Sequence, residues 1–250
     1  MSDPRSEPAD PEHRRAEVAA NLDAVNARIG AACERAGRTA AEVTLIAVTK
    51  TFPSSDIELL RELGILDVGE NRDQEASRKV DELTAAWHEP AQQRLRWHFI
   101  GALQTNKVAS VARYASVVHS VDRLRLVAAL ASAAEHRASP LRCLVQVNLD
   151  PRPVPGRAGA KPDDVTAIAD AIATAPGLEL AGVMGVAPLR GDSDAAFERL
   201  ARVALQLRRG HPGATLISAG MSGDLEQAVA NGATHLRVGA ALLGSRPHAG

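Results

Sequence analysis

A lysine ends an apolar segment near the start of the chain. Residues 45–50 read LIAVTK, so Lys50 follows a run typical of a buried strand. Burial of a lysine disfavours the ammonium form, and a neutral amine is a nucleophile that forms Schiff bases with aldehydes and ketones. Pyridoxal phosphate and keto sugars both fit this chemistry. The plainer alternative is that Lys50 reaches solvent or pairs with a carboxylate.

Two glycine-containing segments near the C-terminus could hold a phosphate group. Residues 218–228 read SAGMSGDLEQA and residues 237–244 read RVGAALLG, and each joins a strand-like run to a helical one. Ser222 supplies a hydroxyl, Gly239 permits close approach of the backbone, and a helix N-terminus favours an anion. Glycines at such junctions also occur as simple turns, so neither segment is decisive alone.

Arg237 is the third candidate. If it shares the side of its strand with Gly239 and His235, its guanidinium faces the interior, where it keeps its proton and needs an acceptor. A pyridine nitrogen is one such acceptor, and an arginine there keeps that nitrogen unprotonated and weakens the ring as an electron sink. A carboxylate, for which Glu70 is available, is the other.

The segments that carry these residues alternate between strand-like and helical patterns. A helical pattern over 13–36 precedes eight apolar runs, which predict strands at 43–49, 65–70, 95–101, 116–121, 142–149, 178–186, 215–220 and 234–239. Amphipathic segments separate these runs, and several begin at Ser or Asp and stop at Gly. Strands that are apolar on both faces belong to parallel sheets covered by helices, and eight such units favour a closed (β/α)8 TIM barrel.

A doubly wound open sheet is the alternative architecture. It predicts a glycine-rich loop after the first strand, where this chain has KTFPSS. In a barrel, alternate strand residues face the interior, so placing Ile46 and Val48 inside places Lys50 inside too. The loops after strands seven and eight open at the same end of such a barrel, where active sites of this fold lie. The barrel therefore brings all of these candidates to one mouth.

Composition limits size, location and partners. Of 250 residues, 45% are apolar and 2% aromatic, which predicts one domain with an aliphatic core over 12–250, after a disordered Pro- and acid-rich tail over 1–11. The 29 Lys and Arg balance 30 Asp and Glu without a charged block, which argues against a nucleic-acid or membrane-surface protein. The N-terminus has no signal peptide and no later run could span a membrane, so a cytoplasmic protein is expected.

Other features point to no chemistry of their own. Cys33 and Cys143 lie far apart in predicted helix and strand, so they are expected to be core thiols, and no metal site is expected. His98, flanked by Trp97 and Phe99, is expected to be a core residue rather than a proton shuttle. The loop at 150–162, DPRPVPGRAGAKP, is either a lid over the site or a variable surface loop.

Taken together, several motifs resemble the pyridoxal-phosphate homeostasis protein family, also called the alanine-racemase N-terminal-domain family. They are Lys50, Asn71, WHFIGALQTNK (97–107), GMSGD (220–224) and RVGAALLG (237–244). The most specific motif is HFIG followed by LQ and NK, because it places a His, a Gly, a Gln and a Lys in fixed order across the end of one strand. The resemblance spans about residues 13–247, nearly all of the expected domain.

The resemblance implies a single (β/α)8 barrel with an N-terminal helix, in which Lys50 holds pyridoxal 5'-phosphate as a Schiff base. Arg237 is then expected at the pyridine nitrogen, with Ser222 and the backbone of Gly239 and Ala240 at the phosphate. No catalytic residue is implied. Three further residues are expected to complete the pocket: Asn71, Ser218 and Met221.

The chain departs from the family pattern at three places. Ala240 stands where many relatives carry Thr, which removes a hydroxyl from the expected phosphate site. Arg72 stands where others often have Tyr. The family's usual lysine-containing segment after strand five is replaced by PRPVPGRAG, where Arg157 is the available cation.

Three functions are compatible with these residues. The resemblance implies a protein that acts in vitamin B6 homeostasis without robust catalysis. Such a carrier is expected to be a monomer or weak homodimer and to hand the cofactor to apo-enzymes. A racemase-like enzyme needs a second acid–base group, usually a tyrosine, opposite the lysine. The only tyrosine, Tyr114, falls in a predicted helix, and the sequence ends after the eighth unit, so no such group is expected. A Schiff-base aldolase acting on a phosphorylated substrate needs a proton-transfer residue beside Lys50, and none stands out.

Overall fold

The computed structural model describes residues 10–86, 95–151, 156–189 and 191–244. Eight strands alternate with helices along the chain. The strands are β1 (Thr44–Val48), β2 (Asp67–Glu70), β3 (Arg96–Phe99), β4 (Val117–Val121), β5 (Leu141–Val147), β6 (Leu178–Gly185), β7 (Leu216–Ser218) and β8 (His235–Val238). The helices are α1 (Pro11–Arg35), α2 (Ser54–Glu62), α3 (Asp73–Ala86), α4 (Val108–Tyr114), α5 (Leu124–Ala134), α6 (Val165–Thr174), α7 (Ser193–Gly210), α8 (Leu225–Ala230) and α9 (Ala240–Leu243).

The strands form one closed parallel barrel in chain order. Each strand pairs with the next, and β8 returns to pair with β1. Every strand predicted from the sequence overlaps one of these eight, so the (β/α)8 barrel is confirmed. Among the described residues, no helix is both long enough and apolar enough to cross a bilayer.

The first helix starts earlier than the sequence predicts. Asp10 accepts a hydrogen bond from the N–H of Glu12, and Pro11 occupies the first helical position, where its missing N–H has no cost. The rest of the tail predicted to be disordered, residues 1–9, lies outside the described residues. Because α1 packs against α8 and α9, it supports the loops after β7 and β8.

Apolar side chains fill two layers. The larger lies between the barrel and its helices and includes Val118, Leu126, Leu130 and Ile172. A small cluster of four apolar residues lies separate from it: Val117, Leu144, Ala181 and Met184. The two cysteines are buried free thiols, and burial raises the pKa of Cys143 to about 12.

The expectation of an aliphatic core needs one correction. Alternate positions on several strands carry polar groups that are buried inside the barrel, among them His98, His119, Ser218 and Arg237. These residues are hydrogen-bonded to one another, which is how buried polar groups avoid the cost of lost hydration. The barrel interior is therefore partly polar, whereas the outer layer is mainly aliphatic.

Candidate functional site

A cavity of about 250 Å³ opens at the carboxyl ends of the strands. Val48, Phe52 and Ile100 form its apolar wall. Six of the eight residues predicted for the site also line it: Lys50, Met221, Ser222, Arg237, Gly239 and Ala240. The structure therefore brings an amine, a guanidinium, a hydroxyl and two backbone segments around one space.

The other two predicted residues lie beneath and beside this cavity. Ser218 is fully buried in β7, where its Oγ accepts a hydrogen bond from Arg237 Nη1 at 2.6 Å. Asn71 lines a neighbouring cavity of about 660 Å³, together with Arg72 and Lys107. Ser218 thus acts on the cavity through Arg237, and Asn71 belongs to the adjoining loop.

The direction of Lys50 follows from the register of β1. Val48 pairs with Gly69, and a Cβ built on Gly69 would lie 3.0 Å from Ile46 Cγ2 and 3.6 Å from Val48 Cγ2. Ile46 and Val48 therefore face the same interior space. Lys50 is two residues beyond Val48 and lines the cavity with it.

The backbone after Lys50 has an unusual conformation. Thr51 has a φ of 70°, in the left-handed region that a β-branched residue rarely adopts. Its N–H donates to Glu75 Oε1 at 2.5 Å, so a side chain of α3 stabilises the turn. Strained backbone of this kind persists where the surroundings fix it, and it concentrates at functional sites.

A buried lysine secures the other side of Lys50. Lys79 of α3 is fully buried, and its Nζ donates to the carbonyl oxygen of Thr49 at 2.8 Å and to Glu70 and Glu75, both at 2.7 Å. Thr49 Oγ1 donates to Glu70 at 2.7 Å. Burial raises the pKa of Glu70, and the charge and hydrogen bond of Lys79 oppose that rise. We call Lys79, Glu70, Glu75 and Thr49 the Lys79 clamp.

Arg237 has neutral hydrogen-bond partners. Its Nη1 donates to Ser218 and its Nη2 donates to the carbonyl oxygen of Gly185 at 2.9 Å. Burial lowers the pKa of Arg237 to about 10, so the guanidinium stays charged at neutral pH. Glu70, the carboxylate that the sequence offers as its partner, is bonded to Lys79 instead.

The loops after β7 and β8 are joined at Ser222. Ser222 Oγ accepts a hydrogen bond from the N–H of Ala241 at 3.2 Å, and Arg28 of α1 donates to the Ser222 carbonyl oxygen at 3.0 Å. Gly220 has a φ of 87°, and a Cβ there would lie 2.6 Å from Ala228 Cβ, so a larger residue does not fit. The turn that presents Ser222 is therefore held from both sides.

Close contacts fix Gly101 and His98 of the HFIG segment. A Cβ on Gly101 would lie 2.0 Å from the carbonyl oxygen of Asn71, so only glycine lets the loop after β3 cross the loop after β2. His98 is buried inside the barrel and bonded through both ring nitrogens, as expected of a core residue.

Two other candidates, Tyr114 and Arg157, do not line the cavity that contains Lys50. Tyr114 sits in the outer layer, with its ring centroid 6.3 Å from that of Trp97 in an edge-to-face arrangement, and its hydroxyl donates to Asp73 at 3.5 Å. In the loop at 150–162, Arg157 pairs with Asp150 at 2.7 Å; residues 152–155 lie outside the described residues. Among the described residues, no group of three or more metal-binding side chains is found.

The Lys79 clamp is not predicted from the sequence, although a signal for it exists. Ala76, Lys79 and Leu83 fall on the buried face of α3 at helical spacing. A lysine on the apolar stripe of an amphipathic helix needs a buried acceptor, and Glu75 one turn earlier is such an acceptor.

Comparison with known proteins agrees with this geometry. A family model described as alanine racemase, N-terminal domain, matches residues 20–247. The pyridoxal phosphate homeostasis protein of Mycobacterium tuberculosis is 44% identical over 243 residues, covering 93% of this chain and 94% of that protein. The protein of that name from Escherichia coli is 34% identical over 235 residues, covering 93% and 98%.

A solved structure provides the corresponding match in three dimensions. PipY of Synechococcus elongatus, with PLP bound, superposes with a TM-score of 0.76 at 31% identity, covering 91% of this chain and all of that one. These matches extend over nearly the whole barrel, including the loops after β7 and β8. The chain therefore belongs to the pyridoxal phosphate homeostasis protein family, within the alanine racemase N-terminal domain family.

Proposed function

We propose that this protein binds pyridoxal 5'-phosphate on Lys50 and acts in vitamin B6 homeostasis, without robust catalytic activity of its own. The observation that carries the proposal is that Lys50, Arg237 and Ser222 line the same cavity. The curated relatives are named as homeostasis proteins, and the PipY structure contains PLP.

The donor set of the cavity fits this cofactor. Pyridoxal phosphate supplies an aldehyde that condenses with a primary amine, which Lys50 provides. In this proposal Ser222 and the backbone N–H groups of Gly239 and Ala240 hold the phosphate, since the first N–H groups of a helix lack acceptors within it. Arg237 would meet the pyridine nitrogen. Ser218 supports Arg237 from below, and Met221 and Asn71 complete the surroundings.

The charges in the cavity favour a carrier over a racemase. Among the described residues that line it, Lys50 and Arg237 are the ionisable ones. A two-base racemase needs a second acid–base group opposite the lysine, and Tyr114 lies in the outer layer. An arginine at the ring nitrogen keeps that nitrogen unprotonated, which disfavours carbanion chemistry. The same shortage of proton-transfer groups disfavours an aldolase.

A carrier in the cytoplasm would deliver its cofactor to apo-enzymes that require it. The open position of the cavity at the barrel mouth supports this role, because the wall includes the exposed side chain of Met221. In this proposal the protein acts as a monomer or weak homodimer, and no nucleic acid or membrane takes part.

Hydride trapping tests the cofactor site. The purified protein is incubated with pyridoxal phosphate, reduced with borohydride and digested, and the modified lysine is identified by mass spectrometry. The adduct is expected on Lys50 and is expected to disappear in Lys50→Ala, whereas Lys107→Ala, which changes an exposed lysine of the neighbouring cavity, retains it. An adduct on another residue, or none, would contradict the proposal.

Transfer and exchange assays test the carrier role. The loaded protein is mixed with an apo-enzyme, and reactivation is compared with that by the same concentration of free cofactor. Reactivation by the loaded protein is expected. Loss of the α-proton of alanine in deuterium oxide at enzyme-like rates would instead support the racemase.

A further inference from the structure

A line of hydrogen-bonded side chains crosses the barrel beneath the cavity. His98 Nε2 lies 2.8 Å from Asp67 Oδ1, and His98 Nδ1 lies 2.9 Å from His119 Nε2. His119 Nδ1 lies 2.9 Å from Ser218 Oγ, which accepts from Arg237 at 2.6 Å. All five side chains are buried. We call Asp67, His98, His119, Ser218 and Arg237 the interior relay.

The interior relay links opposite ends of the barrel. Asp67 is the first residue of β2, at the amino ends of the strands, and it pairs there with Arg96, the first residue of β3. The Arg96 side chain is 53% exposed, so this end reaches solvent. Arg237, at the other end of the relay, lines the cavity at the carboxyl ends.

One protonation pattern satisfies every member of the relay. The ionised Asp67 carboxylate only accepts, so His98 donates from Nε2 and accepts at Nδ1 from His119 Nε2–H. His119 Nδ1 then accepts the single hydroxyl proton of Ser218, and the Ser218 lone pair receives Arg237 Nη1–H. In this pattern every donor points towards Asp67.

The electrostatics of the relay agree with this direction. Burial lowers the pKa of both His98 and His119, so both rings are neutral, as the pattern requires. Burial alone would raise the pKa of Asp67, but the hydrogen bonds of His98 and Arg96 lower it to about 2. Aligned hydrogen bonds polarise one another, so the relay connects the buried cation of Arg237 to a distant anion.

We propose that Asp67 is a positioning residue, which fixes the orientation of Arg237 from the far end of the barrel through His98, His119 and Ser218. Without the Asp67 acceptor, the tautomers of His98 and His119 are no longer fixed. The Ser218 hydroxyl proton is then no longer directed to His119 Nδ1, so its lone pair is no longer directed to Arg237. The effect on the cofactor ring rests on the proposed function. The effect on His119 and Arg237 is independent of it.

Nuclear magnetic resonance of the cofactor-free protein tests this directly. Nitrogen-15 spectra of the imidazoles distinguish protonated from unprotonated nitrogens, and exchange with water reports on the Arg237 Nη protons. Asp67→Ala is expected to give mixed tautomers at His119 and about tenfold faster exchange at Arg237, the change expected when a hydrogen bond to a charged group is weakened.

Two variants distinguish an effect of the interior relay from a general loss of packing at this end of the barrel. Asp67→Asn keeps an acceptor oxygen, so the wild-type tautomers are expected to return. Glu179→Gln removes the charge that pairs with Arg142 at 3.0 Å near the same end of the barrel, and it is expected to change neither signal. Unchanged signals in folded Asp67→Ala, or equal changes in Glu179→Gln, would overturn the proposal.

A third variant covers a failure of Asp67→Ala to fold. His98→Phe keeps a ring in place and breaks the relay at its next member, and the same two signals are expected to change. In the loaded protein, Asp67→Ala is expected to weaken pyridoxal phosphate binding about tenfold relative to Glu179→Gln. If wild type binds no cofactor, the proposed function fails while the spectra still decide the relay.

Discussion

Lys79 Nζ lies 2.8 Å from the carbonyl oxygen of Thr49, the residue that precedes Lys50. Lys79 also holds the buried Glu70, so Lys79→Met would leave that carboxylate without its cation. Removing one partner of a buried pair costs about 3–5 kcal/mol, and we expect a loss of this size in the free energy of unfolding. Urea unfolding measures it, and trapping of pyridoxal phosphate on Lys50 is expected to slow.

A neighbouring residue supplies the control for Lys79. Arg78 pairs with Glu82 at 2.7 Å on the exposed face of α3. Arg78→Met is expected to cost less than about 1 kcal/mol, because exposed ion pairs contribute little. Equal losses in the two variants would show that the Lys79 clamp adds nothing beyond helix packing.

Gly101 and Gly30 should respond oppositely to alanine. A Cβ on Gly101 meets the carbonyl oxygen of Asn71 at 2.0 Å, so Gly101→Ala must separate the loops after β2 and β3. Gly30 lies within α1 with nothing within 4 Å of its Cβ position. We expect Gly101→Ala to lower the melting temperature and Gly30→Ala to stabilise by about 0.5–1 kcal/mol through helix propensity. A tolerated Gly101→Ala would contradict the close approach.

The barrel can be predicted because its signals are local. The apolar runs of β4 and β5 and the caps of the intervening helices each depend on a few adjacent residues. The direction of Lys50 also follows from a period of two along β1. Arg237 follows in the same way, since its register with Ile46 places both side chains on one side of the sheet.

The polar interior could not be predicted because its partners are distant in sequence. His119 meets Ser218 across the barrel, and no local pattern relates the two. The resemblance implies Asn71 at the cofactor pocket, but Asn71 lines a second cavity, where the loop after β3 crosses it at Gly101. Register alone specifies a residue's height in the barrel, whereas the course of the loops depends on tertiary packing.

Ser222 has two expected roles, and both can be measured. Its Oγ accepts the N–H of Ala241, so Ser222→Ala should cost about 1 kcal/mol, the usual effect of a lost cap. The same hydroxyl is proposed for the phosphate, and its loss should weaken pyridoxal phosphate binding about tenfold. Thr174→Ala removes an exposed hydroxyl that bonds only within α6, and titration should show wild-type affinity. Unchanged affinity in Ser222→Ala would assign Ser222 to structure alone.

Ala240→Thr should strengthen cofactor binding. Ala240 lines the cavity and is exposed, so a hydroxyl there has room to reach the phosphate. One additional hydrogen bond to a charged group corresponds to about a tenfold lower Kd. Ala240→Val has the same shape without the hydroxyl and should not gain affinity. If Val and Thr give the same Kd by titration, the phosphate lies elsewhere.

Stability should fall in mild acid because of the histidines inside the barrel. Burial lowers the pKa of His98 and His119, and burial together with His98 lowers that of His235 to about 4. In the unfolded chain these groups take up protons near pH 6.5, so between about pH 6.5 and 4 the unfolded state binds more protons than the folded one. The free energy of unfolding should therefore decrease by up to about 1.4 kcal/mol per pH unit for each histidine.

Asp67 adds to this acid sensitivity at lower pH. Its pKa is about 2 in the folded protein, so its contribution is present above the ordinary aspartate value and is lost as the pH falls towards 2. Urea unfolding at about pH 7.5, 6 and 5 separates the histidine contribution from that of Asp67, because Asp67 is ionised throughout that range. His235→Asn should reduce the slope of the free energy of unfolding against pH by the equivalent of up to one bound proton. His13→Asn, on the exposed surface of α1, should leave this slope unchanged. A free energy of unfolding that stays level from about pH 7.5 to 5 would mean that the interior histidines are not held neutral, and the single direction of the interior relay would then be wrong.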